Sequence, residues 1–247
     1  MTPTNPDLQE GERIDGLGVR GWRIIQREDE FRFSLDAVLL AHFATLRSHS
    51  RVVDLGCGTG AVALFLLSRG AAAVTGMELN PRCAGMAERT AQLNGLADRF
   101  KIICEDVGQI RSHFSAGSFD LVAANPPYRN PTSGRLSPTS GVAMARHESG
   151  AGLREFVQAA AFSLRYRGRL AMIHLPERLV DLCTEMRNAD LEPKRLRFVH
   201  PFSDRAPRMV LVEAVKGSHA GLSVLPPLVV YQAPHTYHPE VLSYYNQ

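Results

Sequence analysis

Asp54-Leu55-Gly56-Cys57-Gly58-Thr59-Gly60 closes a short apolar strand, Arg51–Leu55, and opens an apolar helix, Ala61–Ser68. Three glycines at alternate positions permit a tight turn in which backbone, not side chain, comes closest to a ligand. The pattern then repeats. A second strand at 73–77 ends at Glu78, a helix follows with Pro81 in its first turn, and a third strand, Phe100–Cys104, runs into Glu105-Asp106. A fourth strand covers Phe119–Ala124, and beyond it come a helix at 153–164, a strand at 169–175 and a helix at 177–189. Strands at 193–201 and 208–215 are joined by a short link and are expected to pair antiparallel at the sheet edge. Such alternation predicts an α/β chain with a mostly parallel, doubly wound sheet, its ligands at the carboxyl ends of the strands.

The fourth strand ends abruptly. Phe119-Asp120-Leu121-Val122-Ala123-Ala124 is followed by Asn125-Pro126-Pro127-Tyr128. Neither proline can donate to a ladder, and each fixes its own φ and pushes the preceding residue out of the helical region. Asn125 is thus held in a stiff extended or turn-like setting. Its side-chain oxygen and the Pro126 carbonyl are two acceptors, and Tyr128 adds a flat ring. Together they suit a planar NH2 group; an ordinary strand-to-loop turn is the plainer alternative.

The acid directly before the glycines narrows the ligand. Asp54 would sit beneath the turn, where it repels a pyrophosphate but favours a ligand with an amino-acid tail and a sulfonium centre. Asp54 with Gly56, Gly58 and Gly60 therefore points to S-adenosylmethionine over NAD, although Asp54 would also serve to cap local N–H groups. Glu78 stands where an acid at the end of the second strand would bind ribose hydroxyls.

Upstream, residues 17–33 alternate loosely, and Trp22-Arg23-Ile24-Ile25 with Phe31-Arg32-Phe33 around Glu28-Asp29-Glu30 predict a small hairpin. Ser34 is a candidate N-cap, and Leu35, Val38, Leu39 and Ala41 begin an apolar helical face. Asp36 would lie in the first turn, favoured there by the dipole or by a nearby ligand. Residues 129–152 read as a long binding loop carrying Arg129, Arg135 and Arg146, with His147 and Glu148 near its end. These arginines, with Lys194, Arg195 and Arg197, are candidate phosphate contacts. His174 reads as a satisfied buried histidine. The tail, 217–247, carries an apolar stretch at 225–231 and an aromatic end expected to pack on the body.

Composition sets the outer bounds. With 247 residues and 45% apolar content, a single domain is expected: hairpin and helix at 13–48, core at 50–216, then the tail. Four separated cysteines without a close pair predict a reducing, cytoplasmic setting and no zinc site. No stretch reads as a membrane span or signal peptide. A formal charge of +3 permits a nucleic-acid partner without establishing one.

Residues 53–60, Glu78 and residues 125–128 resemble the class I S-adenosylmethionine-dependent methyltransferases, in particular those that methylate exocyclic amino nitrogens. Residues 31–40, Ala145-Arg146-His147-Glu148, Pro193-Lys194-Arg195-Leu196 and Pro226-Pro227-Leu228-Val229-Val230-Tyr231 are similar to the bacterial tRNA1(Val) adenine-37 N6-methyltransferase family. The resemblance implies a Rossmann-like methyltransferase fold and RNA, in particular tRNA, as partner. It implies that Asp54 and Gly56, Gly58 and Gly60 hold the methionine part of the cofactor, that Glu78 binds its ribose, and that Asp106 lies near its adenine. Ser34 and Asp36 would close over the cofactor side. Asn125, Pro126 and Tyr128 would be catalytic, with Asn125 also beside the cofactor. The chain departs from its relatives at Arg129-Asn130-Pro131 and at Ala233-Pro234-His235. Two alternatives share the Asn-Pro-Pro-Tyr element. One is N5-methylation of a protein glutamine, whose enzymes usually carry an N-terminal helical domain; the other is DNA adenine N6-methylation.

Overall fold

The computed structural model describes residues 8–29, 34–127 and 152–245. Its centre is a sheet built from β3 (Arg51–Leu55), β4 (Ala73–Glu78), β5 (Phe100–Cys104), β6 (Phe119–Ala124), β7 (Leu164–His174), β8 (Leu191–His200) and β9 (Met209–Lys216). Their order across the sheet is β8-β9-β7-β6-β3-β4-β5. Strands β5, β4, β3, β6 and β7 are parallel, and β9 lies antiparallel between β7 and β8. Two short strands, β10 (Ser223–Val224) and β11 (Leu228–Val229), run parallel to β8 along the edge that β9 leaves free. The mostly parallel sheet with an antiparallel pair agrees with the sequence expectation.

Helices cover both faces. On one lie α1 (Leu35–Phe43), α2 (Ala61–Ser68) and α3 (Pro81–Leu93), packed with Val52, Val74, Leu121, Ala171 and Ile173. The other carries α4 (Ile110–His113), α5 (Leu153–Ser163) and α6 (Leu179–Asn188), packed on Val53, Leu55, Val122, Met172 and Val212. Alternate residues of each strand feed alternate cores, so the strands read as continuous apolar runs. Helix α2 is buried at every position, and α1 nearly so, which is why neither shows a polar face in sequence.

The N-terminal hairpin differs from its expected register. Its strands are β1 (Glu12–Gly16) and β2 (Arg23–Arg27), with Ile14 opposite Ile25. The chain reverses through residues 17–22, where the Leu17 N–H donates to the Trp22 carbonyl at 2.9 Å, not through Glu28-Asp29-Glu30. Gly18, Arg20 and Gly21 have φ of +80°, +50° and +65°, so the two glycines supply left-handed backbone that an acidic run cannot. Phe31-Arg32-Phe33 lies outside the described residues. Near the C-terminus come a small antiparallel pair, β12 (Tyr231–Ala233) and β13 (Thr236–Tyr237), and a short helix, α7 (Pro239–Ser243). Val230 and Val241 of this tail are buried in the core beneath α1 and α2.

Candidate active site

Strands β3 and β6 are neighbours, yet β3 connects onward to β4 on one side and β6 to β7 on the other. That reversal opens a crevice at their carboxyl ends, the usual ligand position in sheets of this kind. Leu55 lies opposite Ala124, so Gly56 and Asn125 leave adjacent strands at the same level. The two sequence motifs therefore meet, about 5 Å of strand spacing apart.

The glycine turn is held from the next strand. Gly56 and Cys57 donate their N–H groups to the Met77 carbonyl at 2.8 and 3.0 Å, and Gly60 donates to Cys57. Gly56, Gly58 and Gly60 have φ of +68°, +55° and +92°, which side chains other than glycine rarely adopt. At Gly60 a Cβ would also stand 2.6 Å from the Phe100 ring, whereas at Gly58 it would meet nothing within 4 Å. Gly60 is thus fixed by packing, and Gly58 faces open space.

Glu78 is committed to this turn. Its Oε2 accepts from the Gly58 N–H and its Oε1 from the Asn80 N–H, both at 2.8 Å. One carboxylate ties the end of β4 to the glycine loop and to the start of α3, an arrangement that sequence spacing did not reveal. Asp54 is buried, and its Oδ2 has no hydrogen-bond partner among the described residues. Burial, with Glu78 nearby, pushes its carboxyl up to about 8, against a hydrogen bond from the Ala63 backbone of α2. A buried acceptor left unused beneath a glycine turn suits an ammonium donor, which would draw the carboxyl back to its ionised form.

Asp106 caps the turn after β5, its Oδ1 accepting from the Gly108 N–H at 2.7 Å. Ser34 holds the N-cap position of α1 by backbone, but its side chain makes no capping bond, and its Oγ is buried without a partner among the described residues. The capping role expected of Ser34 is therefore corrected. Asp36 occupies the first turn of α1, half-buried, on the same side of the sheet as α2. Asn125 is half-buried, Pro126 buried and Pro127 exposed. Tyr128 lies outside the described residues, as do Arg129, Arg135, Arg146, His147 and Glu148.

His174 ends β7, two residues past the Met172 that pairs with Ala124. Its Nδ1 accepts from the Leu175 N–H at 2.8 Å, and burial, with Arg178 nearby, lowers it to about 4. It is a neutral buried histidine, as expected, and no proton carrier near neutral pH. Arg195 and Arg197 are not the free phosphate contacts that their spacing suggested. Arg195 donates to Thr45 Oγ1, the Phe43 carbonyl and Glu213, and lies over the Phe43 ring. Arg197 pairs through both terminal nitrogens with Glu240 at 2.6 and 2.9 Å, while the Lys194 ammonium reaches the His219 carbonyl. Glu213, an acid inside the apolar run 209–215, is the signal that sequence reading passed over. Among the described residues no cluster could hold a metal ion, and no helix is long and apolar enough to cross a membrane.

Residues 35–178 match the methyltransferase small domain family. The tRNA1(Val) (adenine(37)-N6)-methyltransferase of Porphyromonas gingivalis is 32% identical over 191 residues, covering 74% of this chain and 73% of that protein. The protein of the same name from Tolumonas auensis is 29% identical over 202 residues, covering 77% and 79%. Among solved structures, a predicted O-methyltransferase from Agrobacterium tumefaciens superposes with a TM-score of 0.70 at 23% identity, covering 85% of this chain and 95% of that one. A putative RNA methyltransferase from Pyrococcus horikoshii gives 0.52 at 20%, covering 73% and 81%. The fold and the family match together define a class I S-adenosylmethionine-dependent methyltransferase, with S-adenosylmethionine as its cofactor. The chain belongs to the methyltransferase small domain family and is related to the tRNA1(Val) N6-adenine enzymes.

Proposed function

We propose that the protein transfers a methyl group to the exocyclic N6 of an adenine in RNA, in particular a tRNA, and that residues 1–247 act as one catalytic domain. The observation that carries this reading is the placement of Asn125-Pro126 beside the glycine turn at the switch point, supported by the adenine N6 activity for which the relatives are named. S-adenosylmethionine supplies an activated methyl group when bound. Asp54 would take its amino group, Gly56, Gly58 and Gly60 would line its methionine part, and Glu78 its ribose. Asp106 would stand by its adenine, and Ser34 and Asp36 would close that side.

On the substrate side, an adenine amino group is a weak nucleophile because its lone pair is spread into the ring. Asn125 Oδ1 and the Pro126 carbonyl would accept its two N–H bonds, orient the nitrogen, and stabilise the positive charge that grows on it. Tyr128 would stack on the base, a contact worth roughly 1–3 kcal/mol. No side chain need remove the proton first, since the nitrogen becomes acidic once alkylated. An extruded or single-stranded base meets this site at low cost.

The test uses purified protein, labelled cofactor and, separately, unmodified total tRNA, a release factor and duplex DNA. N6-methyladenosine in digested tRNA is the expected product; label recovered only as methylglutamine or in DNA refutes the assignment. Asn125→Ala should lower kcat roughly 100-fold or more while cofactor affinity stays within about twofold. Equal turnover by that variant would remove Asn125 from the mechanism.

A further inference from the structure

The arginines of β8 and of the turn after it divide by position. Those inside the strand are tied to Glu213, Thr45 and Glu240. Those in the turn, residues 201–208, are not. Arg208 is exposed, and its side chain has no hydrogen bond or ion pair with any described residue. Among the described residues the Arg205 side chain has only Asp204 at 3.9 Å, with side chains 70% and 76% exposed, a pairing too long and too wet to neutralise it.

Strand direction decides where this turn stands. Strand β8 is antiparallel to β9, which is antiparallel to β7, so β8 ends on the same edge as β6 and Asn125. The order β6-β7-β9-β8 puts three strand spacings, about 14 Å, across the sheet between these strands, and the pairing of Ala124 with Met172, Met172 with Val212 and Val212 with Leu196 carries β8 on to His200, about 13 Å beyond the level of Ala124. Strand β11 runs beside β8 to that same edge, where the Tyr231 N–H donates to the Pro201 carbonyl at 3.0 Å. There Tyr231 and Tyr237 stack with centroids 5.2 Å apart, and Phe202 adds a third ring 5.6 Å from Tyr231. His235 is exposed at the tip of the β12–β13 pair.

Two exposed guanidiniums, one without a partner among the described residues and the other facing only an exposed Asp204 across 3.9 Å, stand on an edge stiffened by half-buried stacked rings and match the phosphates of a nucleic-acid strand. We propose that the turn at 201–208 and the Tyr231–Tyr237 hairpin form a ledge that grips the RNA strand flanking the target adenine, with Arg205 and Arg208 on its phosphates. This rests on the reading of RNA as substrate.

The test compares Arg205→Ala/Arg208→Ala with Arg47→Ala, an exposed arginine placed before β3 at the opposite edge. A fluorescent unmodified tRNA transcript is titrated at several salt concentrations. The double variant should bind roughly tenfold more weakly at low salt, with a log–log salt slope shallower by about 1.4, two contacts at 0.7 each. Its affinity for S-adenosylmethionine and its kcat at saturating RNA should equal the parent's, and Arg47→Ala should match the parent throughout. If the parent methylates tRNA but the double variant keeps its affinity and slope, the ledge is wrong and the substrate reading stands. If the parent modifies only a release factor or DNA, both fall together.

Discussion

Asp54 and Glu213 are both buried, and the fold treats the two carboxylates in opposite ways. Glu213, on the antiparallel side of the sheet, is saturated: Oε1 accepts from Arg169, Arg195 and the Thr45 hydroxyl, and Oε2 from the Thr45 N–H at 2.6 Å. Asp54, at the switch point, keeps one oxygen without a partner among the described residues and is pushed up to about 8. A folded chain that can surround one acid with donors and leaves another short of them is not failing at the second. The first joins the end of α1 to β7, β8 and β9. The second is destabilising as it stands and becomes comfortable only when a cation arrives.

The sharpest way to break the contrast is to delete the saturated acid. Glu213→Ala strands Arg169 and Arg195 and should cost about 3 kcal/mol in denaturant unfolding, with the affinity of the folded fraction for S-adenosylmethionine unchanged. An equal loss of affinity would mean that the two carboxylates do not have separate roles. Asp54→Asn should do the reverse. It should weaken cofactor binding by about thirtyfold or more in calorimetry, yet raise the melting temperature of the ligand-free protein.

The sign of that stabilisation follows from the raised carboxyl. The folded state holds a proton that the unfolded state releases, so Asp54 favours folding most below the ordinary carboxylate range. That contribution is lost as pH rises toward about 8. The stabilisation of Asp54→Asn at pH 7 is bounded at about 4 kcal/mol. For the same reason, cofactor affinity of the parent should climb by up to about tenfold per unit between pH 6 and 8, with proton release on binding. A flat profile would show that Asp54 is already ionised before the ligand arrives. The smallest effect is expected at Gly58→Ala, where only φ opposes the change: about 1 kcal/mol of stability, with a methyl intruding into the open space beside the turn. No change in cofactor affinity there would move the ligand away from Gly58.

Much of this site is legible along the chain because its constraints are local. Alternating glycines demand positive φ wherever they occur, and two prolines end a strand whatever lies around them. Strands β3, β5 and β6 and helix α3 accordingly fall where periodicity puts them. The N-terminal hairpin was misplaced because an acidic run and a glycine turn both resemble loops, and only the second can supply left-handed backbone. Ser34 has the right residue type for a cap, but capping depends on where its Oγ points, and that oxygen is buried with no hydrogen-bond partner among the described residues.

By itself, then, the amino-acid order determined the sheet class, the glycine cradle and the proline-stiffened Asn125, all consequences of torsional limits within a few residues. Tertiary structure alone decided which charges remain available. Arg195 meets Thr45 across 150 positions of chain, and Thr45 meets Glu213 across 168. Whether a guanidinium faces solvent or a buried acid is set by such long-range contacts, because electrostatic partners are chosen by distance in space and not by spacing in sequence.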